Sequence, residues 1–416
     1  MPPLTITIEV AWPKHPTLAA LEKVIFKALM AAGRQLLQMA FELIERQLLA
    51  DGAGTKQRRR RRYLVCRFGE LRFHRWQVQG RDGYRCPLDG ALGLEPGDPC
   101  SPWVRAKSAL LAQAHPYRQA ASLLSQMIGS KVDHRRLWGW VQQSGKQLVG
   151  SWQEQRDRLF RDGELPPSQG KAPGIVSTAV DGTFIRTRDG PVEVKLGVWW
   201  TGAHLESETA RHSRYLLDGK GFYAACEDAD TFGQGFYMRA EQATGISQAQ
   251  EVFLVSDGAG WCGEIAPDWV GPTAWQLDHF HGKQRITQVA QDPERAARWW
   301  GWVAENNLDA LGKSLKHCLA TGLIDPEAGR SLMGYFRRGA GALQTYLRLR
   351  QAGHSAQMAP RGSGVIEHSV DLVVARRFKR QGMRSWTRTG ANNLLALRVL
   401  AKDPEAWRSW WGDAAM

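Results

Sequence analysis

Apolar residues recur at three- and four-residue steps through Leu18, Leu21, Val24, Ile25, Leu29, Leu36, Met39, Leu43 and Leu48. That period predicts one long amphipathic helix over 17–50, stopped by Asp51-Gly52-Ala53-Gly54. The period then changes. Residues 63–76 alternate apolar and basic side chains about Gly69-Glu70, which predicts a small β-hairpin. Pro87, Gly90, Gly93, Pro96, Gly97 and Pro99 mark a loop-rich boundary. Helical periodicity returns over 103–160. Within it, 117–129 reads as a helix ending in glycine, and 130–141 as a polar turn followed by a second helix. This is the outline of a helix-turn-helix, with His134, Arg135 and Arg136 near the start of the second helix. An ordinary helical hairpin shares that outline.

A Pro/Gly-rich linker at 166–174 precedes a change to strands. Strands are expected at 174–181, 192–200 and 221–226, then a helix at 230–244, then strands at 252–256 and 273–277. Three neighbouring strands, a crossover helix and two further strands predict a mixed sheet with helices on its faces. From 284 to 353 the pattern is helical, with Trp299, Leu311, Leu315, Phe336 and Leu343 among its apolar ridges. A last helix is expected at 390–401. The chain therefore divides into an N-terminal helix with a basic β segment (1–100), a helical region (101–165), an α/β region (174–283), an all-helical insertion (284–353) and a C-terminal part (354–416).

Charge narrows the class of partner. The 416 residues include 55 Lys and Arg against 41 Asp and Glu, a formal net charge of +14. The basic residues cluster at Arg58, Arg59, Arg60, Arg61 and Arg62 and again at Arg376, Arg377, Lys379, Arg380 and Arg384. Such a balance favours a polyanion, and clustering favours nucleic acid. The six cysteines are scattered without a CxxC pair, which does not suggest a disulfide scaffold. The start of the chain lacks a signal-peptide pattern and no apolar run approaches a membrane span, so a cytoplasmic, nucleoid-associated protein is expected.

Three acidic residues stand in unusual settings. Asp181 and Asp257 each end an apolar run and each precede a glycine. Both are expected at strand carboxyl ends, where open α/β sheets keep their sites. Glycine after each lets a ligand or neighbouring backbone approach. Glu367 lies in a helical stretch followed by the second basic cluster. Carboxylates so placed can converge, hard divalent metals take oxygen ligands of this kind, and paired ions can activate a water or a 3′-hydroxyl against a phosphodiester. Asp371, one turn after Glu367, shares its helix face; a metal-supporting role and pairing with an arginine are both open.

The segments Val180-Asp181-Gly182-Thr183, Ser256-Asp257-Gly258-Ala259-Gly260-Trp261, Leu277-Asp278-His279-Phe280-His281, and the Glu367 helix running to Arg380-Gln381-Gly382-Met383-Arg384-Ser385-Trp386 resemble bacterial insertion-sequence DDE transposases. The similarity is to the Mutator-like group and its sister families, and it covers nearly the whole chain. The resemblance implies an RNase H-like mixed-sheet core with an all-helical insertion, preceded by an α+β N-terminal region containing a helix-turn-helix. It implies that Asp181, Asp257 and Glu367 bind Mg²⁺ or Mn²⁺ as two ions. Asp278 and His281 match the Asp-x-x-His element, which orients the site or contacts the leaving strand; for His281 a satisfied helix-start histidine is the plainer reading. Arg376, Arg377, Lys379, Arg380 and Arg384 become phosphate contacts. The implied partner is double-stranded DNA, both element ends and target, bound by a homo-oligomer. The implied activity is cleavage at terminal inverted repeats and joining of the 3′-hydroxyl to target DNA. A structure-selective nuclease of the same fold, or a catalytically silent DNA-binding protein, are the alternatives.

Overall fold

The computed structural model describes residues 3–80, 83–168, 174–209, 213–265, 269, 273–383 and 385–415. It comprises two compact units, Met1–Ser144 with Pro404–Met416, and Gly145–Asp403.

The first unit opens with α1 (Leu18–Ala50), capped by Thr17, whose hydroxyl accepts the Ala20 amide at 3.2 Å. A three-stranded antiparallel sheet follows: β1 (Thr55–Cys66), β2 (Gly69–Gly80) and β3 (Gly83–Arg85). The expected hairpin is longer and turns earlier than its alternation suggested. Cys66 pairs with Gly69, so Arg67-Phe68 is the loop and the whole arginine run is strand. Leu64, Cys66, Leu71 and Phe73 form a core with Phe41 of α1. Gly33 of α1 makes room for this packing: a Cβ there would stand 2.4 Å from the Phe68 ring. A short helix α2 (Pro87–Ala91) closes the cluster through Leu88. Then come α3 (Pro102–Ala114), α4 (Tyr117–Ile128) and the start of α5 (His134–Asp162), whose residues from Gly145 belong to the second unit. Gly129 ends α4 in the left-handed region at φ 64°. The polar turn is tied back to α4 by the Val132 amide, which donates to Ser125 Oγ at 2.9 Å. The second helix of the pair is not short. It runs unbroken for 29 residues.

The second unit is built on a five-stranded mixed sheet. Its strands are β4 (Ile175–Thr187), β5 (Gly190–Trp200), β8 (Gly221–Ala225), β9 (Glu251–Ser256) and β10 (Thr273–Leu277), in the order β10-β9-β4-β5-β8. A separate exposed hairpin, β6 (Gly202–Glu208) and β7 (Ser213–Asp218), interrupts the run between β5 and β8. β4 pairs antiparallel with β5 and parallel with β9, and β9 pairs parallel with β10. The central run of β9 is continuously apolar because both its faces are covered. Val252, Phe253, Leu254 and Val255 are all buried. Helix α6 (Ala229–Thr244) makes the crossover between β8 and β9, started by the Asp228 cap and stopped by Gly245 at φ 66°.

The chain then becomes helical through α7 (His279–Ala290), α8 (Pro293–Ala304), α9 (Leu308–Ala320), α10 (Pro326–Arg338) and α11 (Thr345–Gln351). Trp299, Leu311, Leu315, Phe336 and Leu343 make its core, and Leu277 from the end of β10 belongs to the same cluster. α12 (Gly364–Val370) returns to the sheet and packs on β4 and β5. It continues as a π-helical turn, Asp371–Ala375, then α13 (Arg376–Phe378) and finally α14 (Arg388–Leu400). The wide π turn is held from α14, where Arg398 donates to the Leu372 and Val373 carbonyls. No helix among the described residues is long and apolar enough to cross a membrane.

Candidate metal centre

Strand register brings three carboxylates into one row. Val180 of β4 pairs with Ser256 of β9, and Ser256 pairs with Leu277 of β10. The next residues along these three parallel strands are Asp181, Asp257 and Asp278. Asp181 does not end its strand as its apolar run suggested, because β4 continues to Thr187 against β5 alone. It sits where the β9 partner stops, and that leaves its side chain only partly covered. The two glycines serve close side-chain packing. A Cβ on Gly182 would stand 2.3 Å from Glu193 Oε1. Gly258 lies at φ 77°, and a Cβ there would stand 2.4 Å from Leu277 Cδ1 and 2.8 Å from the Tyr335 ring.

Glu367 reaches this row from α12. The segment before the helix is fixed across the sheet by two paired residues of β4 and β5. Ser177 Oγ donates to the Met358 carbonyl at 2.6 Å and Trp200 Nε1 donates to the Gln357 carbonyl at 3.0 Å. Ligand atoms of Asp278, His281 and Glu367 all lie within 4.8 Å of one another.

The carboxylates differ in how they are supported. Asp278 is fully buried. Its Oδ1 accepts the Phe280 amide at 2.9 Å, and its Oδ2 accepts Ser363 Oγ at 2.6 Å and lies 2.5 Å from His281 Nδ1. Burial pushes this carboxyl up, but the bonds from His281, Ser363 and the amide outweigh it and leave its pKa below the ordinary value. His281 is raised in turn, chiefly by its bond to Asp278. Asp181 is the opposite case. It accepts the Gly182 amide at 2.7 Å, its one donor among the described residues. Burial and the charge of Asp257 push it up to about 6, with Glu367 adding in the same direction and His281 opposing. Asp257 accepts the Ala259 amide at 2.9 Å, and its own carbonyl accepts Tyr335 Oη at 2.8 Å. Among the described residues, no Lys or Arg forms an ion pair with Asp181, Asp257 or Glu367. A cluster of oxygen donors whose repulsion raises a carboxyl pKa suits a hard divalent cation, which would relieve it. Two contributors escaped the sequence reading. Ser363 precedes α12 at the cap position, yet its hydroxyl serves Asp278 rather than the helix. Cys262 lies 3.8 Å from Asp257 Oδ1, and burial with the nearby charges of Asp257 and Asp181 keeps it a thiol.

The basic residues separate by environment. Arg58, Arg59, Arg60 and Arg61 are exposed on β1. Arg58 Nε donates to Gln77 Oε1 at 2.9 Å, and Arg59 lies over the Trp76 ring at 5.9 Å. Arg62 is different. It is only 7% exposed, pairs with Asp89 at 2.8 Å and donates to the Glu95 and Asp98 carbonyls. It is a structural arginine rather than a free phosphate contact. Arg377 is likewise buried, lying over Trp386 at 4.9 Å. Arg376 pairs with Asp371 at 2.9 Å, which occupies Asp371 away from the carboxylate row. Lys379 and Arg380 are exposed, and Arg384 lies outside the described residues. In the first unit, Arg135 is exposed at the start of α5, His134 stands 3.7 Å from Asp133, and Arg136 donates to Tyr63 Oη at 3.1 Å.

Comparison with known proteins gives a match of residues 15–413 to the profile of UPF0236, described as an uncharacterised protein family. The chain is also similar to a Streptococcus gallolyticus protein, the "UPF0236 protein in vanSb 3'region". The two are 24% identical over 414 residues, covering 94% of this chain and 84% of the relative.

Proposed function

This chain belongs to the UPF0236 family, and we propose that it is a DDE-type transposase with an RNase H-like core. The observation that carries the reading is the carboxylate row. Parallel strands place Asp181, Asp257 and Asp278 side by side, and the field of Glu367 and Asp257 acts on Asp181. Three neighbouring strands, a crossover helix and two parallel strands, interrupted before the Glu367 helix by a helical insertion, are the layout such a core requires. In this reading Asp181, Asp257 and Glu367 hold Mg²⁺ or Mn²⁺. When bound, the metal supplies the positive charge that activates an attacking water or 3′-hydroxyl and offsets charge on the leaving oxygen. Asp278 orients the His281 ring through Nδ1, so that Nε2 is the nitrogen left to face the reacting strand. Lys379 and Arg380, exposed after the Glu367 helix, position the DNA backbone.

The N-terminal unit then provides end recognition. The pair α4 and α5, joined at Gly129, acts as a helix-turn-helix in which His134, Arg135 and Arg136 approach bases. The exposed arginines Arg58, Arg59, Arg60 and Arg61 add sequence-independent affinity. The protein works as a homo-oligomer on double-stranded DNA, associated with the nucleoid.

The deciding experiment incubates the full chain, in Mg²⁺, with labelled duplexes carrying the DNA that flanks its coding region, plus an unlabelled target. Labelled strand joined to target supports the transposase reading. Cut product alone replaces it with a nuclease, and a mobility shift without cleavage replaces it with a silent DNA-binding protein.

A further inference from the structure

Beyond Val180 the β9 edge of β4 is open, and the segment after the Glu367 helix runs along it. Lys379 Nζ bonds Thr183 Oγ1 near one end. The Arg188 amide bonds the Trp386 carbonyl at 2.9 Å at the other, and Thr187 bridges to Trp386. Between these ties lies a cavity of about 640 Å³, lined among others by Phe184, Arg186, Lys379 and Arg380. Phe184 is 62% exposed, a large aromatic ring presented to solvent in the wall of a basic groove. Among the described residues, no carboxylate lines this cavity. Phe184 follows Asp181 by three residues on the same strand, about 10 Å at strand rise, and this odd spacing turns the two side chains to opposite faces of β4.

An exposed aromatic face flanked by cations is the recognition chemistry of unpaired nucleotides: the base stacks on the ring and the phosphates meet the charges. A duplex does not offer such a base, because its bases are stacked on each other. We infer that this groove binds a single-stranded DNA segment, with one base on Phe184 and its flanking phosphates on Arg186, Lys379 and Arg380. The inference rests on the nucleic-acid reading of the neighbouring carboxylate row. It adds to that reading a preference for unpaired strand along β4, on the face opposite the Asp181 side chain.

The test uses the full chain, a fluorescein-labelled oligothymidylate and EDTA, with anisotropy as readout. Phe184→Ala is expected to weaken binding about ten-fold, and Phe184→Trp to restore it, since stacking is sequence-tolerant and depends on the ring. Lys379→Gln with Arg380→Gln should lower the salt slope by roughly 0.7 for each lost phosphate contact. Because Phe184 is exposed, these variants should keep the wild-type melting temperature. Equal affinity of wild type and Phe184→Ala for the oligothymidylate, or an equal loss of affinity for a blunt duplex of the same length on Phe184→Ala, overturns the inference. The two proposals fail separately. Oligothymidylate binding that depends on Phe184, with no cut or joined product in Mg²⁺, refutes the transposase and leaves the groove. Cleavage and joining by wild type with an oligothymidylate affinity that ignores Phe184 refutes the groove alone.

Discussion

Replacing Asp181 by asparagine should make the metal-free protein more stable. The side chain keeps its shape and its Oδ1 still accepts the Gly182 amide. What disappears is a charge held next to Asp257 in a half-covered position. A carboxyl displaced from 3.8 to about 6 opposes folding by on the order of 3 kcal/mol once ionised, at about 1.4 kcal/mol per pKa unit. Solvent reaching the group reduces this to roughly 1–2 kcal/mol. The sign follows from the direction of displacement. The folded state holds the proton more tightly, so the group's stability contribution is complete below pH 3.8 and is lost as pH rises through about 6. In EDTA, therefore, wild type and Asp181→Asn should melt together near pH 4. By pH 7.5 the variant should melt roughly 3–6 °C higher. Divalent metal should reverse the order. Mg²⁺ at one hundred times its dissociation constant stabilises a binding protein by about 2.7 kcal/mol, and the variant should gain far less. Calorimetry at several pH values, with EDTA or Mg²⁺, reads both effects. An Asn variant no more stable than wild type at pH 7.5 in EDTA, or one that gains equally from Mg²⁺, would refute the reasoning.

Glu367→Gln is expected to abolish cleavage and joining while leaving DNA binding within about two-fold, because it removes a hard ligand and no part of the recognition surface; activity and mobility shift on the same substrate check this. Arg62→Gln should destabilise the first unit by roughly 2 kcal/mol, since it removes one of the two arginines on Asp89, Arg75 remaining, and takes a donor from the Glu95 and Asp98 carbonyls, whereas Arg58→Gln with Arg59→Gln and Arg61→Gln should leave the urea midpoint unchanged and lower the salt slope of DNA binding. Ser363→Ala should cost on the order of 2 kcal/mol in urea unfolding, the worth of a buried hydrogen bond to a charged group.

The parallel strands were legible as short, largely apolar runs, β9 most clearly because it is apolar on both faces. The runs at 174–181, 252–256 and 273–277 became β4, β9 and β10 within a few residues, β4 apart. Pattern could not show where a partner strand stops, and so it could not place Asp181 in the middle of β4. The hairpin of β6 and β7 left no trace in the pattern, since both its faces are largely exposed and it lacks the alternation that marks a half-buried strand. The arginine run concealed a division for a related reason. Five identical residues carry no periodicity, so nothing local distinguishes buried Arg62 from its exposed neighbours. The distinction comes from Asp89, 27 positions later, and from the carbonyls of Glu95 and Asp98. Arg377 was hidden in the same way beneath Trp386. Ser363 was visible as a residue before a helix. Its bond to Asp278 spans 85 positions and depends on the return of the chain after the helical insertion.

The unequal support of the acidic residues decides which of them is free to bind a cation. Among the described residues, Asp278, His281 and Glu367 bring their ligand atoms within 4.8 Å of one another. Asp278, however, already receives an amide, a hydroxyl and an imidazole, and those bonds hold its pKa low despite complete burial. These donors take most of the lone-pair sites of the Asp278 carboxylate and leave it less to offer a metal. Asp181 presents the reverse condition. It has one amide donor, carries the repulsion of Asp257 and Glu367, and gains from any positive charge placed beside it. The transposase proposal accordingly assigns a cation to the Asp181 side of the row, shared with Asp257 and Glu367. Asp278 then acts through His281, fixing the ring from behind through Nδ1. In the transposase proposal the third residue of the row supplies orientation, and the ligands would come from two neighbouring strands and a helix that meets them only after the chain has passed through α7 to α11.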